Sequence, residues 1–317
     1  MDYNLVIRNT GSRYVVLTAD GREISCAAKG NFRIRGLRTT NPVAVGDHVE
    51  LRLGATSGEA LITDIHPRSN YIIRKASNLS KESHILAANI DQALLVVTLF
   101  HPVTSTTFID RFLATAEAYN VKAIIAINKI DLLESDTDER EYLEAFTYLY
   151  RSIGYDVIEI SARTGDGLTN LKNILNNKIT LLSGNSGVGK TTIINKLIPG
   201  LDLRTGQISD IHRTGIHTTT FSEMFPIPGG GYVIDTPGVK GFGTIDMDPR
   251  EVSHYFPEIF EKGRECRFGD CSHTGEPGCA VIPALEQSLI ARSRYTSYLS
   301  ILEDASAGTS DKYRKPF

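Results

Sequence analysis

Gly184-Asn185-Ser186-Gly187-Val188-Gly189-Lys190-Thr191 decides how this chain is read. The segment has the Gly-x4-Gly-Lys-Thr spacing of a phosphate-binding loop. Its glycines let backbone N–H groups turn inward onto phosphate oxygens, and a following helix N-terminus adds a favourable dipole. Ile179-Thr180-Leu181-Leu182-Ser183 precedes the loop and Thr192-Ile193-Ile194 follows it, which is the strand–loop–helix setting the motif requires. Lys190 is then placed to reach the β- and γ-phosphates, and the Thr191 hydroxyl to ligate Mg2+. A glycine-rich turn with a fortuitous Lys-Thr would lack that setting.

Two more motifs flank the loop in a rotated order. Asn128-Lys129-Ile130-Asp131 comes before it, and Asp235-Thr236-Pro237-Gly238 comes after it. The Asp131 carboxylate can accept from both N1–H and the exocyclic amine of guanine. Adenine offers no such pair of donors, and an acceptor left buried and unpaired rejects it. Lys129 can lie over the base plane. Ser161-Ala162 follows the next apolar strand, where a backbone N–H can meet the guanine O6. Asp235 closes an apolar strand, where it can hold Mg2+ through water while the Gly238 N–H senses the γ-phosphate. Alone, Asp-x-x-Gly and Ser-Ala are common turns; their places at strand ends give them weight. An ordinary GTPase runs phosphate loop, Asp-x-x-Gly, Asn-Lys-x-Asp.

Between Gly200 and Thr220 lies a long polar stretch that includes Gly215-Ile216-His217-Thr218-Thr219-Thr220. Its position is that of a switch segment, ordered by γ-phosphate and metal. Thr219 is the first choice to complete the Mg2+ shell and Thr218 the second. Many GTPases orient the attacking water with a Gln directly after Asp-x-x-Gly. Here that residue is Val239, which cannot, so unaided hydrolysis is expected to be slow. His217 is the nearest substitute in sequence; a plain loop histidine or a partner contact is the competing reading.

Around this centre the composition changes twice. Residues 1–70 read as an all-β domain. Tyr14–Leu17, Asn31–Arg35 and His48–Leu51 are short β-rich runs punctuated by glycine. About five such strands suit a small barrel, with the OB-fold as the best candidate. Residues 1–75 carry 11 Lys+Arg against 7 Asp+Glu, in a chain whose net charge is −3. The excess sits mainly in Arg22 to Arg38. It suits a nucleic-acid surface, although a solvated strand face would explain it equally well. Residues 71–240 alternate strands (Gln92–Leu99, Val121–Ile127, Val157–Ile160, Ile179–Leu182, Tyr232–Ile234) with helical patterns, which predicts a doubly wound α/β domain. Residues 241–317 hold a Cys/His cluster, a helical pattern through Leu285, Leu289, Tyr298 and Leu302, and a tail expected to be unstructured from Ser306.

Cys266, Cys271, His273 and Cys279 offer four ligands within 14 residues, which suits one closed, structural Zn2+ site. Free buried thiols are the alternative. The start Met1-Asp2-Tyr3-Asn4 has no signal-like pattern, and no apolar run reaches the ~18 residues of a membrane span. A cytoplasmic protein with no membrane contact is expected.

The motifs and their order together resemble the circularly permuted GTPases, and among them the ribosome small subunit-dependent GTPase A family. The likeness covers nearly the whole chain, including the four metal-ligand candidates. It implies a P-loop GTPase domain, flanked by an N-terminal OB-fold and a C-terminal, mainly helical, zinc-binding domain. It also implies GTP/GDP and Mg2+ as cofactors. The partners it implies are the small ribosomal subunit, its rRNA and ribosome assembly factors, with turnover stimulated by the subunit. A monomer is expected. By the same resemblance Asn128, Lys129, Asp131, Ser161, Ala162, residues 184–191, Thr192, Asp235 and Gly238 bind nucleotide. Lys190, His217 and Thr219 are the catalytic candidates, and Thr191, Thr219 and Asp235 hold Mg2+. The rotated order runs the Gly238 segment directly into the C-terminal domain, so nucleotide state could move that domain relative to the barrel. Two readings compete: a GTP-dependent RNA-binding module with hydrolysis as a timer or absent, and an ATPase or metabolic kinase, which Asp131 argues against.

Overall fold

A computed structural model describes residues 3–10, 13–28, 42–53, 60–75, 83–133, 137–201, 203, 223–235 and 247–313. Five strands make the N-terminal barrel: β1 (Asn4–Asn9), β2 (Tyr14–Leu17), β3 (Glu23–Ala28), β4 (His48–Leu53) and β5 (Ala60–Ile65). They pair in the order β1-β2-β3-β5-β4, and β4 returns to β1 through Leu5↔His48, closing the barrel. Only β3–β5 is parallel, so this is the OB-type arrangement predicted. Alternation places Val6, Val16, Cys26, Val49 and Ile62 inside, all fully buried. The runs at 14–17 and 48–51 are β2 and the start of β4; the run at 31–35 and the basic positions 29–38 lie outside the described residues.

A hairpin of β6 (Tyr71–Lys75) and β7 (Ser83–Ala88) leads into the α/β domain. Here β8 (Gln92–Val97), β9 (Lys122–Asn128), β10 (Asp156–Ile160), β11 (Ile179–Ser183) and β13 (Tyr232–Asp235) run parallel, in the order β10-β9-β8-β11-β13. Central strands are apolar on both sides because helices cover both faces. Helices α1 (Thr106–Ala118) and α2 (Thr137–Ile153) bury Phe112, Leu113, Phe146 and Tyr150 against one face; α3 (Leu168–Leu175) and α4 (Lys190–Leu197) bury Leu171, Leu175 and Ile193 against the other. The antiparallel strand β12 (Glu223–Pro226) pairs with β13 on one side and with β1 on the other. Barrel and α/β sheet are therefore one continuous sheet of eleven strands, joined at Arg8↔Glu223, where Arg8 Nε also donates to Glu223 Oε1 at 2.8 Å.

The C-terminal region has a short 3-10 turn (Val252–Tyr255) and helices α5 (Pro257–Gly263), α6 (Val281–Glu286) and α7 (Arg292–Tyr313). The helical pattern read through Leu285 to Leu302 is two helices. Ser288 adopts a left-handed conformation (φ 58°) after α6, and Leu289 lies exposed in the turn. The unstructured tail expected from Ser306 is also corrected: α7 continues to Tyr313. Arg294 docks this region on α1. Its guanidinium is fully buried, donates to Asp110 Oδ1 (2.8 Å) and to both Glu258 oxygens (2.6 and 3.0 Å), and lies 4.6 Å from the centre of the Phe256 ring. Tyr150 of α2 donates to the same Asp110 oxygen at 2.8 Å. Among the described residues no helix is long and apolar enough to cross a membrane.

Candidate functional site

Every strand end singled out in the sequence opens on one edge of the sheet. The phosphate loop follows Ser183 of β11, Asn128 ends β9, Ser161 follows β10, and Asp235 ends β13, paired with Leu182. A crevice outside the carboxyl ends of parallel strands is where open α/β sheets bind ligands.

The loop's shape follows from its glycines. Gly184 has φ 145°, and a Cβ there would lie 2.3 Å from the Val96 carbonyl oxygen of the neighbouring strand. Gly189, the N-cap of α4, has φ 100°, and its Cβ would meet Asn128 Nδ2 at 2.3 Å. Between them Val188 is fully buried and pins the loop to the core. Lys190 begins α4 and donates to the carbonyls of Gly184 (2.6 Å) and Asn185 (2.8 Å), so its ammonium lies inside the turn of the loop. Thr191 and Thr192 stand beside it in the first turn of α4, both half-buried.

Asn128 knits the site together. Its Nδ2 donates to Val188 O at 2.8 Å, and its Oδ1 accepts from the Ala162 N–H at 3.0 Å. One buried amide thus links the phosphate loop, the Asn-Lys-x-Asp segment and the Ser161-Ala162 turn. Lys129 has a left-handed backbone (φ 68°), which turns its chain across the loop; Nζ donates to His101 O (2.6 Å) and Gly187 O (2.8 Å). Ser161 is fully buried and donates to Asp131 Oδ1 at 2.6 Å, while its own oxygen accepts from the Thr164 N–H. That leaves Asp131 Oδ2, with the Arg163 guanidinium 3.9 Å away. The carboxylate is held in one orientation at the mouth of the crevice.

His217, Thr218, Thr219, Gly238 and Val239 lie outside the described residues, and so does the switch segment that contains most of them. Of the predicted site residues the structure therefore brings together Asn128, Lys129, Asp131, Ser161, Ala162, residues 184–191 and Thr192, with Asp235 at the end of the adjoining strand. The His101 carbonyl was not foreseen; a backbone acceptor leaves no trace in the choice of side chain.

The second cluster joins Cys266, Cys271, His273 and Cys279, whose ligand atoms all lie within 4.8 Å of one another. His273 Nδ1 is 3.6 Å from Cys266 Sγ and 3.8 Å from Cys279 Sγ. A tetrahedral ion with bonds near 2.3 Å to sulfur and 2.0–2.1 Å to nitrogen needs ligand separations of about 3.6–3.8 Å, which both His273 distances match, and the donor set suits zinc. Burial pushes the Cys271 thiol up to about 12, which a cation at the centre would offset. The Ala280 N–H donates to Cys266 Sγ, and the left-handed His273 (φ 58°) is braced from behind, its carbonyl accepting from Tyr295 Oη at 2.6 Å. Glu276 accepts from the backbone N–H of Ser272 and Thr274 and tightens the turn.

Comparison with known proteins agrees with this geometry. Residues 65–245 match the family model described as RsgA GTPase, and residues 5–62 match the RsgA N-terminal domain. The chain is 57% identical over 313 residues to a small ribosomal subunit biogenesis GTPase RsgA of Bacteroides fragilis, covering 99% of each chain. It is 58% identical over 317 residues to one of Porphyromonas gingivalis, again covering 99% of both. Among solved structures it resembles YjeQ from Thermotoga maritima (TM-score 0.76, 35% identity, 96% of this chain and 98% of that one). It also resembles YloQ, a circularly permuted GTPase (TM-score 0.73, 29% identity, 100% and 97%).

Proposed function

Because the chain belongs to the RsgA GTPase family, we propose that it hydrolyses GTP on the small ribosomal subunit during late maturation, with turnover stimulated by the subunit. The observation that supports the GTP part of this reading is Asn128, which ties the Asn-Lys-x-Asp segment to the phosphate loop although the segments run in rotated order; the subunit part rests on the family.

In this reading Asp131 pairs with guanine, Ser161 holds its carboxylate in register, and Lys129 lies over the base. The backbone N–H groups of residues 184–191 and the Lys190 ammonium take the phosphates. Thr191 and Asp235, with Thr219, would hold Mg2+, which would supply neutralisation of the β- and γ-phosphate charge; Thr192 touches the α-phosphate, and Gly238 senses the γ-phosphate. Lys190 stabilises the charge that develops on the transferring phosphoryl group. Val239 cannot orient water, so the catalyst is completed by His217 or by the partner. Cys266, Cys271, His273 and Cys279 hold one structural Zn2+. The working division is an RNA-binding barrel over residues 1–70, the GTPase domain over 71–240 and the zinc domain over 241–317. The protein acts as a cytoplasmic monomer and meets rRNA and assembly factors on the subunit.

GTP turnover with and without purified small subunits tests the proposal, for wild type and His217→Ala. Stimulation of wild type is expected; none would favour the RNA-binding timer instead.

A further inference from the structure

The barrel carries an aromatic cluster that the nucleotide and metal sites do not use. Tyr3 stacks on His48 with ring centres 5.3 Å apart and planes at 21°; His66 meets the same Tyr3 ring edge-on at 5.2 Å. Strand register puts the three together. Leu5 pairs with His48 across β1–β4, Val49 pairs with Ile65 across β4–β5, and the His66 N–H donates to His48 O at 2.9 Å. They stand where the barrel closes, three strands abreast. Tyr3 remains 51% exposed, while burial and the neighbouring His66 both disfavour the charged form of His48.

We infer that Tyr3, with His48 and His66 behind it, is a stacking platform for an unpaired base of single-stranded RNA. A half-exposed aromatic ring held rigid by neighbouring rings loses little entropy when a base covers its open part, and every base has a π-face to offer. Arg52, exposed further along β4, is a cation on the same strand as His48 that a phosphate could meet. This places a base-contacting face at the β1–β4–β5 seam, apart from the Arg22–Arg38 stretch that sequence charge points to. It rests on the RNA-binding reading of the barrel.

The test is binding of the full-length protein to a fluorescein-labelled, unstructured 12-nucleotide RNA and, separately, to purified small subunits at fixed salt. Tyr3→Ala should weaken oligonucleotide binding at least about fivefold, in line with loss of one stacked base, and Tyr3→Phe should stay within about twofold of wild type. An unchanged melting temperature and unchanged subunit-free GTP turnover would show the fold intact. If wild type binds RNA and Tyr3→Ala binds it equally well, the platform is overturned and the RNA reading stands. If wild type binds neither RNA nor subunits, the RNA reading itself falls. Loss of subunit binding with naked-RNA binding intact would mean that Tyr3 meets a ribosomal protein, which also overturns the proposal.

Discussion

Asn128 Nδ2 donates to the Val188 carbonyl oxygen at 2.8 Å, although 60 residues of chain separate them. The same side chain accepts from the Ala162 N–H. Asn128→Ala would strand two buried backbone groups, each costing about 1–3 kcal/mol. GDP affinity should fall at least about tenfold with the fold retained, as titration calorimetry and far-UV circular dichroism would show. An affinity equal to wild type would mean that Asn128 does not organise the site.

Asp131→Asn replaces an acceptor with a donor and should shift preference from guanine toward xanthine nucleotides. Ser161→Ala removes the 2.6 Å bond that orients the carboxylate, together with the acceptor of the Thr164 N–H. It should raise the KM for GTP by about five- to tenfold, the loss of roughly one hydrogen bond to a charged group, with kcat little changed. Competition binding with GTP, XTP and ATP separates the two variants; ATP bound as tightly as GTP would sink the guanine assignment.

Gly184→Ala puts a methyl group 2.3 Å from the Val96 carbonyl oxygen, at a φ of 145° that L-residues avoid. The strain of such a position is of order 1–3 kcal/mol, before the clash is counted. Nucleotide binding should be lost before the fold is, which GDP protection against thermal unfolding would reveal.

Arg294→Met should cost about 3–5 kcal/mol in urea unfolding, because it leaves the buried Asp110 without its counter-ion, with only Tyr150 donating to it. Adding Asp110→Asn should recover part of that loss. The same ion pair bears on the switch. It holds the C-terminal region to α1, so any nucleotide-driven shift of that region must carry α1 with it or break the pair. X-ray scattering of GDP and GTP-analogue forms should therefore differ more for Arg294→Met than for wild type.

Zinc removal tests the second cluster. Cys271→Ser, or treatment with a strong chelator, should lower bound zinc from about one per chain toward zero. It should also lower the melting temperature of the C-terminal region while GDP binding persists, since a structural metal contributes folding energy directly. Metal analysis showing no zinc in the purified wild type would leave the free-thiol reading.

Much of the candidate site was legible in the sequence because its motifs are local. A phosphate loop needs its glycines within eight residues, a metal knuckle its ligands within 14, and a buried parallel strand a run of apolar residues, so β8, β9, β11 and β13 lie where hydrophobicity placed them. Harder to see were the features made by contact between distant segments. Arg294 is one polar residue in a helical pattern until Asp110 and Glu258 surround it, and the break in the pattern from Leu285 to Leu302 is set by the left-handed Ser288.

By itself the sequence determined the kinds of parts and their rotated order, because those depend on residue type and spacing along the chain. Only the tertiary structure decided how they join. Pairing of β1 with β12 makes barrel and α/β sheet one sheet, Asn128 links the Asn-Lys-x-Asp segment to the phosphate loop across 60 residues, and Arg294 clamps the C-terminal region to α1. Hydrogen-bond register and buried charge pairing are set by which segments meet in space, and neither has a period that a linear pattern can display.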